Sequence, residues 1–216
     1  MKKLLSALAL ALGFAVSSAA GAAVISGSIS TIDGNNDGVA DLKISRVMFT
    51  VTAGTHVFFD SLVRESTGVD LNGDGKITGF DNFMVLYNTS LQSVASNDDS
   101  SVTFGDGSVH VYDSTIDWTF DVAGTYMIAL GQLSFSDAEG VQGYDVNRSY
   151  SAYDGTENFG AWRLTMTATG GTLSGLREVG VDAADVPEPA SMALLGVGLL
   201  GFAASRRKAA KARAQA

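Results

Sequence analysis

Apolar and polar residues alternate along much of the middle of this chain. Ile116, Trp118, Phe120 and Val122 alternate with Asp117, Thr119 and Asp121. Trp162, Leu164 and Met166 alternate with Arg163, Thr165 and Thr167. Val47, Phe49 and Val51 share one side, as do Val57 and Phe59, while Phe83, Val85 and Tyr87 oppose Met84 and Leu86. Tyr126, Ile128 and Leu130 follow a turn at Gly124. A period of two with one apolar side is what an antiparallel sheet with one solvated face needs. Gly, Asp, Asn and Ser clusters separate these runs, and both prolines, Pro187 and Pro189, lie beyond them. The pattern predicts an all-β fold, a single jelly-roll-like β-sandwich, flanked by an N-terminal signal helix and a C-terminal transmembrane sorting helix.

The ends follow a different rule. Lys2 and Lys3 precede a short apolar run from Leu4 to Val16, and Ala20-Gly21-Ala22 supplies small residues. This is the layout of a secretory leader, assigned here to residues 1–22. Residues 23–185 form the exported segment, and residues 186–216 a second signal. In the latter, Pro187-Glu188-Pro189 breaks regular structure. Ala190 to Ala204 is uncharged and largely apolar, and as a helix it would be roughly 23 Å long. Arg206, Arg207 and Lys208 follow, and basic residues stay on the cytoplasmic side. Both charged ends therefore remain inside while the middle is pushed out.

Val186-Pro187-Glu188-Pro189, the apolar helix and the basic cluster together resemble the PEP-CTERM sorting signal of Gram-negative bacteria. The resemblance implies recognition of Pro-Glu-Pro by an exosortase-type enzyme, transient inner-membrane anchoring, and release to the cell surface or exterior. Gly196-Val-Gly198-Leu-Leu-Gly201 fits the dinucleotide fingerprint, but no strand precedes it, so these are small residues of the apolar helix.

Charge sharpens the picture. Residues 24–186 carry 7 Lys and Arg against 22 Asp and Glu, a balance of -15, and 18 of those acids are Asp. An Asp- and Gly-rich segment suits turns and oxygen-ligand sites. Such acidity excludes nucleic acid as a partner, since little here would neutralise phosphates. The chain has no cysteine, which rules out thiol catalysis, disulfides and cysteine-ligated zinc.

Two loops carry candidate chemistry. In the first choice, Asp70, Asn72, Asp74, the Lys76 carbonyl, Thr78 and Asp81 fall at positions 1, 3, 5, 7, 9 and 12 of a D-x-N-x-D-G loop. Ca²⁺ takes six to eight hard oxygens, which alternate residues of a tight loop can supply. Over its length this stretch resembles an EF-hand or dockerin-type calcium loop, with Asp81 in place of the EF-hand's last glutamate. The second choice is Asp33, Asn35, Asp37 and Asp41, which resembles a thrombospondin type 3 acidic repeat. Ordinary Asp-Asn-Gly turns would use the same residues.

A further resemblance spans about residues 47–135. Asp81 precedes the apolar run Phe83–Tyr87, Asn97-Asp98-Asp99 follows, and Ala123-Gly124-Thr125-Tyr126 forms a later turn. These stretches look like the bacterial pre-peptidase C-terminal domain group, which implies a jelly-roll-like accessory module. By that resemblance Asp98 and Asp99 become third-choice calcium ligands.

Catalytic signatures are sparse. His56 and His110 are the two histidines, and neither G-x-S-x-G nor H-E-x-x-H occurs. The sequence thus reads as an exported, non-catalytic, calcium-binding surface or extracellular-matrix protein, with extracellular polysaccharide as a candidate partner. Its alternatives are a carbohydrate-binding module and a secreted hydrolase.

Overall fold

The structure, a computed structural model, describes residues 21–100, 108, 111–146 and 160–180. Most of the expected leader (residues 1–20), the expected sorting helix Ala190–Ala204, the sorting residues Pro187, Glu188, Pro189, Arg206 and Arg207, and His110 lie outside the described residues. Twelve strands and one short helix occur among the described residues: β1 Gly21–Ile29, β2 Thr31–Ile32, β3 Asp41–Lys43, β4 Ser45–Val51, β5 Thr55–Leu62, β6 Asn82–Tyr87, β7 Ser93–Asn97, β8 Thr115–Phe120, β9 Gly124–Gln132, α1 Asp137–Gln142, β10 Tyr144–Asp145, β11 Gly160–Thr169 and β12 Leu173–Val179. They form three antiparallel sheets. One has the order β1-β11-β5-β8, another β12-β4-β9-β6-β7, and a small third β10-β3-β2.

The two larger sheets share one hydrophobic core. Val57, Phe59, Ile116, Phe120, Trp162, Leu164 and Met166 come from the four-stranded sheet. Val47, Phe49, Met84, Leu86, Ile128 and Leu130 come from the five-stranded one. The Phe49 ring lies 5.4 Å from that of Phe59 and 5.8 Å from that of Phe120, so aromatics of both sheets meet. Trp162 crosses the same gap: its Nε1–H donates to Ser45 Oγ at 3.0 Å, which satisfies the one polar atom of a fully buried indole.

The five-stranded sheet departs from the simple alternation. On β6, Met84 and Leu86 enter the shared core while Val85 and Tyr87 are buried on the opposite face. Met127 and Ala129 of β9 do likewise. That second face is covered by Phe135 and the segment bearing α1, so these strands have no solvated side. The helix is short but well capped. Ser136 and Glu139 form a reciprocal capping box, and Gly143 ends the helix in the left-handed conformation at φ 94°. Burial, with Asp137 nearby, pushes the Tyr87 phenol far above its ordinary pKa. Val122 departs from the expected alternation: it lies beyond β8 and is 64% exposed, so the alternating run ends at Phe120. Among the described residues no helix is long and apolar enough to cross a membrane.

Register fixes which loops share an end. Ser45 pairs near Leu130, Asn82 with Gln132, Val179 with Arg46, and Ile29 with Gly160. The loops after Ile29, Leu62, Asn97 and Gln132 therefore gather at one pole. The turns at residues 52–54, 121–123 and 170–172 gather at the other.

Candidate functional site: two carboxylate clusters at one pole

The candidate loops occupy the pole described above, and the structure groups their acids in a way the spacing did not indicate. Glu65, Asp70 and Asp74 each bring a carboxylate oxygen within 4.8 Å of the other two. Asp81, Asp98 and Asp99 form a second such group. Asp81 thus stands apart from the loop it was expected to close, and Glu65, five residues upstream of that loop, stands in its place.

Glu65 follows β5, with 2% of its surface exposed. Its amide donates to the Thr78 carbonyl at 2.9 Å, which draws the two stems of the loop together. Its side chain then receives the loop's own donors. Leu71 N–H donates to Oε1 at 2.7 Å, and Thr78 donates to Oε2 through its amide at 2.9 Å and its hydroxyl at 2.7 Å. Asn72 N–H adds a longer bond to Oε1 at 3.4 Å, so the about four lone-pair sites of the carboxylate are all engaged and a cation reaching Glu65 would displace this weakest contact. Thr78, expected as a direct ligand, instead uses its hydroxyl on Glu65.

The rest of the loop is a series of side-chain-to-backbone turns. Gly73 and Gly75 donate to the two Asp70 oxygens at 2.6 and 2.9 Å. Asn72 Oδ1 accepts from Asp74 N–H at 2.9 Å, and Asp74 Oδ1 from Lys76 N–H at 2.8 Å. The turn needs φ 74° at Gly75, a left-handed value that glycine adopts without strain. The amide of Gly75, helped by those of Gly73, Asp74 and Asn72, holds the Asp70 carboxyl below its ordinary pKa.

The second group sits where β6, β7 and β8 converge. Thr115 N–H donates to Asn97 Oδ1 at 3.1 Å, and the Ser114 hydroxyl reaches the carbonyls of Asn82, at 2.8 Å, and Asp98. Asn82 Nδ2 donates to Ser61 Oγ at 2.9 Å, which adds β5 to the junction. Asp81 and Asp98 are thereby fixed side by side. Desolvation, with Asp99 and Asp98 as like-charged neighbours, pushes the Asp81 carboxyl up to about 6. Desolvation and Asp99 raise that of Asp98 as well.

The Asp33–Asp41 loop is arranged differently. Asp33 accepts from the amides of Asp37 and Gly38 at 3.0 and 3.1 Å, Asn35 Oδ1 accepts from Asp37 N–H at 3.1 Å, and Asp41 Oδ2 accepts from Gly34 N–H at 2.9 Å. Its acids do not form a convergent group of three among the described residues.

His56 lies on the outer face of the four-stranded sheet. Its Nε2 pairs with Asp117, and its Nδ1 stands 3.4 Å from the Thr169 hydroxyl. This hydroxyl–imidazole–carboxylate row crosses three neighbouring strands, yet Asp117 is 64% exposed and the row lies on an open face. Solvent screens such a pair, and an unenclosed row lacks the dry, preorganised surroundings that make these groups effective.

Comparison with known proteins bears on the C-terminal end. Residues 185–208 match the PEP-CTERM protein-sorting motif. No curated protein matches the chain. The motif implies an exported protein sorted by an exosortase, its processed form reaching the cell surface. The match covers the sorting signal alone, so the resemblance of the middle segment to the pre-peptidase C-terminal group gains no support from it.

Proposed function

We propose that the exported segment is a non-catalytic, calcium-stabilised β-sandwich that associates with the cell surface or its polysaccharide matrix. The observation that carries this reading is the convergence of Glu65, Asp70 and Asp74 at the pole that also bears Asp81, Asp98 and Asp99. These donors are hard carboxylate oxygens, the set that suits calcium and not a soft transition metal. Glu65, Asp70 and Asp74 would hold the ion, with Asn72 and the Lys76 carbonyl beside them. A bound cation would neutralise charges that otherwise repel. The shared core of the two large sheets supports the sandwich, and the open setting of His56 supports a non-catalytic role.

Attachment to a matrix would run through divalent ions shared between exposed carboxylates and acidic polysaccharide. The Debye length in physiological salt is about 8 Å, so screened charge alone would hold little and direct coordination would have to dominate. Washing native biofilm with a calcium chelator should release the protein more completely than concentrated sodium chloride does. Complete release by salt, with none by chelation, would sink the bridging account. Turnover of a polysaccharide or peptide by the purified segment would refute the non-catalytic reading.

One observation favours carbohydrate binding as a second reading. A cavity of about 300 Å³ is lined by Phe83, Phe135, Ser93, Ser96 and Asp137 among others, giving it aromatic walls and polar groups. Glycan binding lost in Phe83→Ala would favour this alternative.

A further inference from the structure

The first strand begins inside the segment read as the end of the leader. Gly21 pairs with Ala168, Ala22 with Thr167 and Ala23 with Met166. The small residues Ala20, Gly21 and Ala22 are also what a signal peptidase reads. The bond to be cut, Ala22–Ala23, therefore lies within a laddered strand of the folded chain. Peptide bonds inside a sheet are cut only after local opening, because a protease must enclose an extended, freed backbone.

What holds β1 down lies further along it. Gly21, Ala22 and Val24 are exposed, whereas Ile25 packs on the shared core and Ile29 is buried in it. Between them Gly27 passes directly over the Trp162 indole, so closely that a Cβ there would run into the ring. Once these anchors seat, the cleavage segment is carried onto β11 with them. β1 starts at the pole of the 170–172 turn, whereas β12 ends at Val179, at the carboxylate pole.

We propose that cleavage at Ala22–Ala23 precedes the docking of β1, so that the folded precursor is a poor substrate and the mature chain begins within its own first strand. The proposal rests on the reading of residues 1–22 as a leader. In the cut, water adds across the amide: its oxygen joins the Ala22 carbonyl to give a carboxylate, and Ala23 keeps a new amino group. The mature β1 then starts at Ala23, and Thr167 and Ala168 lose their partners on that edge.

The test offers purified full-length precursor to signal peptidase in two forms, prefolded or diluted directly from urea, and follows cutting by intact mass. The prefolded form should be cut at least about tenfold more slowly, as expected of a step gated by local opening. Prefolded Gly27→Val, whose side chain would lift β1 from Trp162, should be cut nearly as fast as the urea-diluted wild type. Should that variant fail to fold, wild-type precursor in rising urea serves instead, with cutting that accelerates before the global unfolding transition. Equal rates for the two wild-type forms would overturn the proposal. No cutting of either form would overturn the leader assignment itself, and the proposal with it.

Discussion

Thr78 gives both its amide and its hydroxyl to one oxygen of Glu65, at 2.9 and 2.7 Å, across thirteen residues of chain. With Leu71 N–H on the other oxygen at 2.7 Å, a single buried carboxylate closes the whole acidic loop. Glu65→Gln keeps the shape but turns an NH₂ group toward donors. Hydrogen bonds to a charged group are worth about 1.5–3 kcal/mol each, less when a partner can reorganise. The substitution should cost about 2–4 kcal/mol in urea unfolding. A loss below about 0.5 kcal/mol would show that the loop does not depend on this closure.

Calcium should act through the same loop. An ion that binds only the native state stabilises it by about 2.7 kcal/mol at a hundred times Kd. Extracellular modules bind at roughly 10⁻⁴ to 10⁻³ M, so millimolar calcium realises part of that. Replacing Asp70 and Asp74 together by Ala should abolish the calcium-dependent rise in Tm. An unchanged rise in the double variant, lost instead in Asp81→Asn, would move the site to the second group.

In calcium-free buffer the second group predicts a pH dependence. Asp81 is raised from 3.8 to about 6, by desolvation first and then by Asp99 and Asp98. A carboxyl with a raised folded value binds its proton more tightly folded than unfolded. Its contribution is therefore fully present below pH 3.8 and is lost as pH rises through about 6. Asp81→Asn should flatten that part of the stability profile. A mutant profile parallel to the wild type between pH 4 and 6 would contradict the assignment.

The facing of the two large sheets can be probed at Trp162. Trp162→Phe removes the bond to Ser45 and leaves a gap in the shared core. A cost of about 1–3 kcal/mol is expected, from the lost bond and lost packing, and Ser45→Ala should cost less in that background than in the wild type. Full additivity of the two substitutions would show that the contact across the sheets carries no coupling.

The strands were legible because alternation survives wherever one face is solvated, as along Trp162–Thr167 and Ile116–Phe120. It misleads at β6 and β9, whose second face is covered by a segment too short to show a helical period. The local sign of that segment was present in Ser136-x-x-Glu139 and Gly143, a capping box and a C-terminal glycine. The loop's alternate oxygens were legible too, but its closing residue was not. Glu65 belongs to no motif spacing and reaches the loop only because β5 ends beside it. Asp81 and Asp98 are brought together by the β6–β7 pairing of Met84 with Asn97, a register that the sequence does not state.

Export and sorting through the two ends would leave the segment between them as the working protein. Intact mass spectrometry of the extracellular form, from cells that carry an exosortase, tests this most directly. The extracellular chain is expected to start at Ala23 and to lack the apolar helix after Pro189. Extracellular protein that still contains peptides from Leu199 to Arg206 would contradict it.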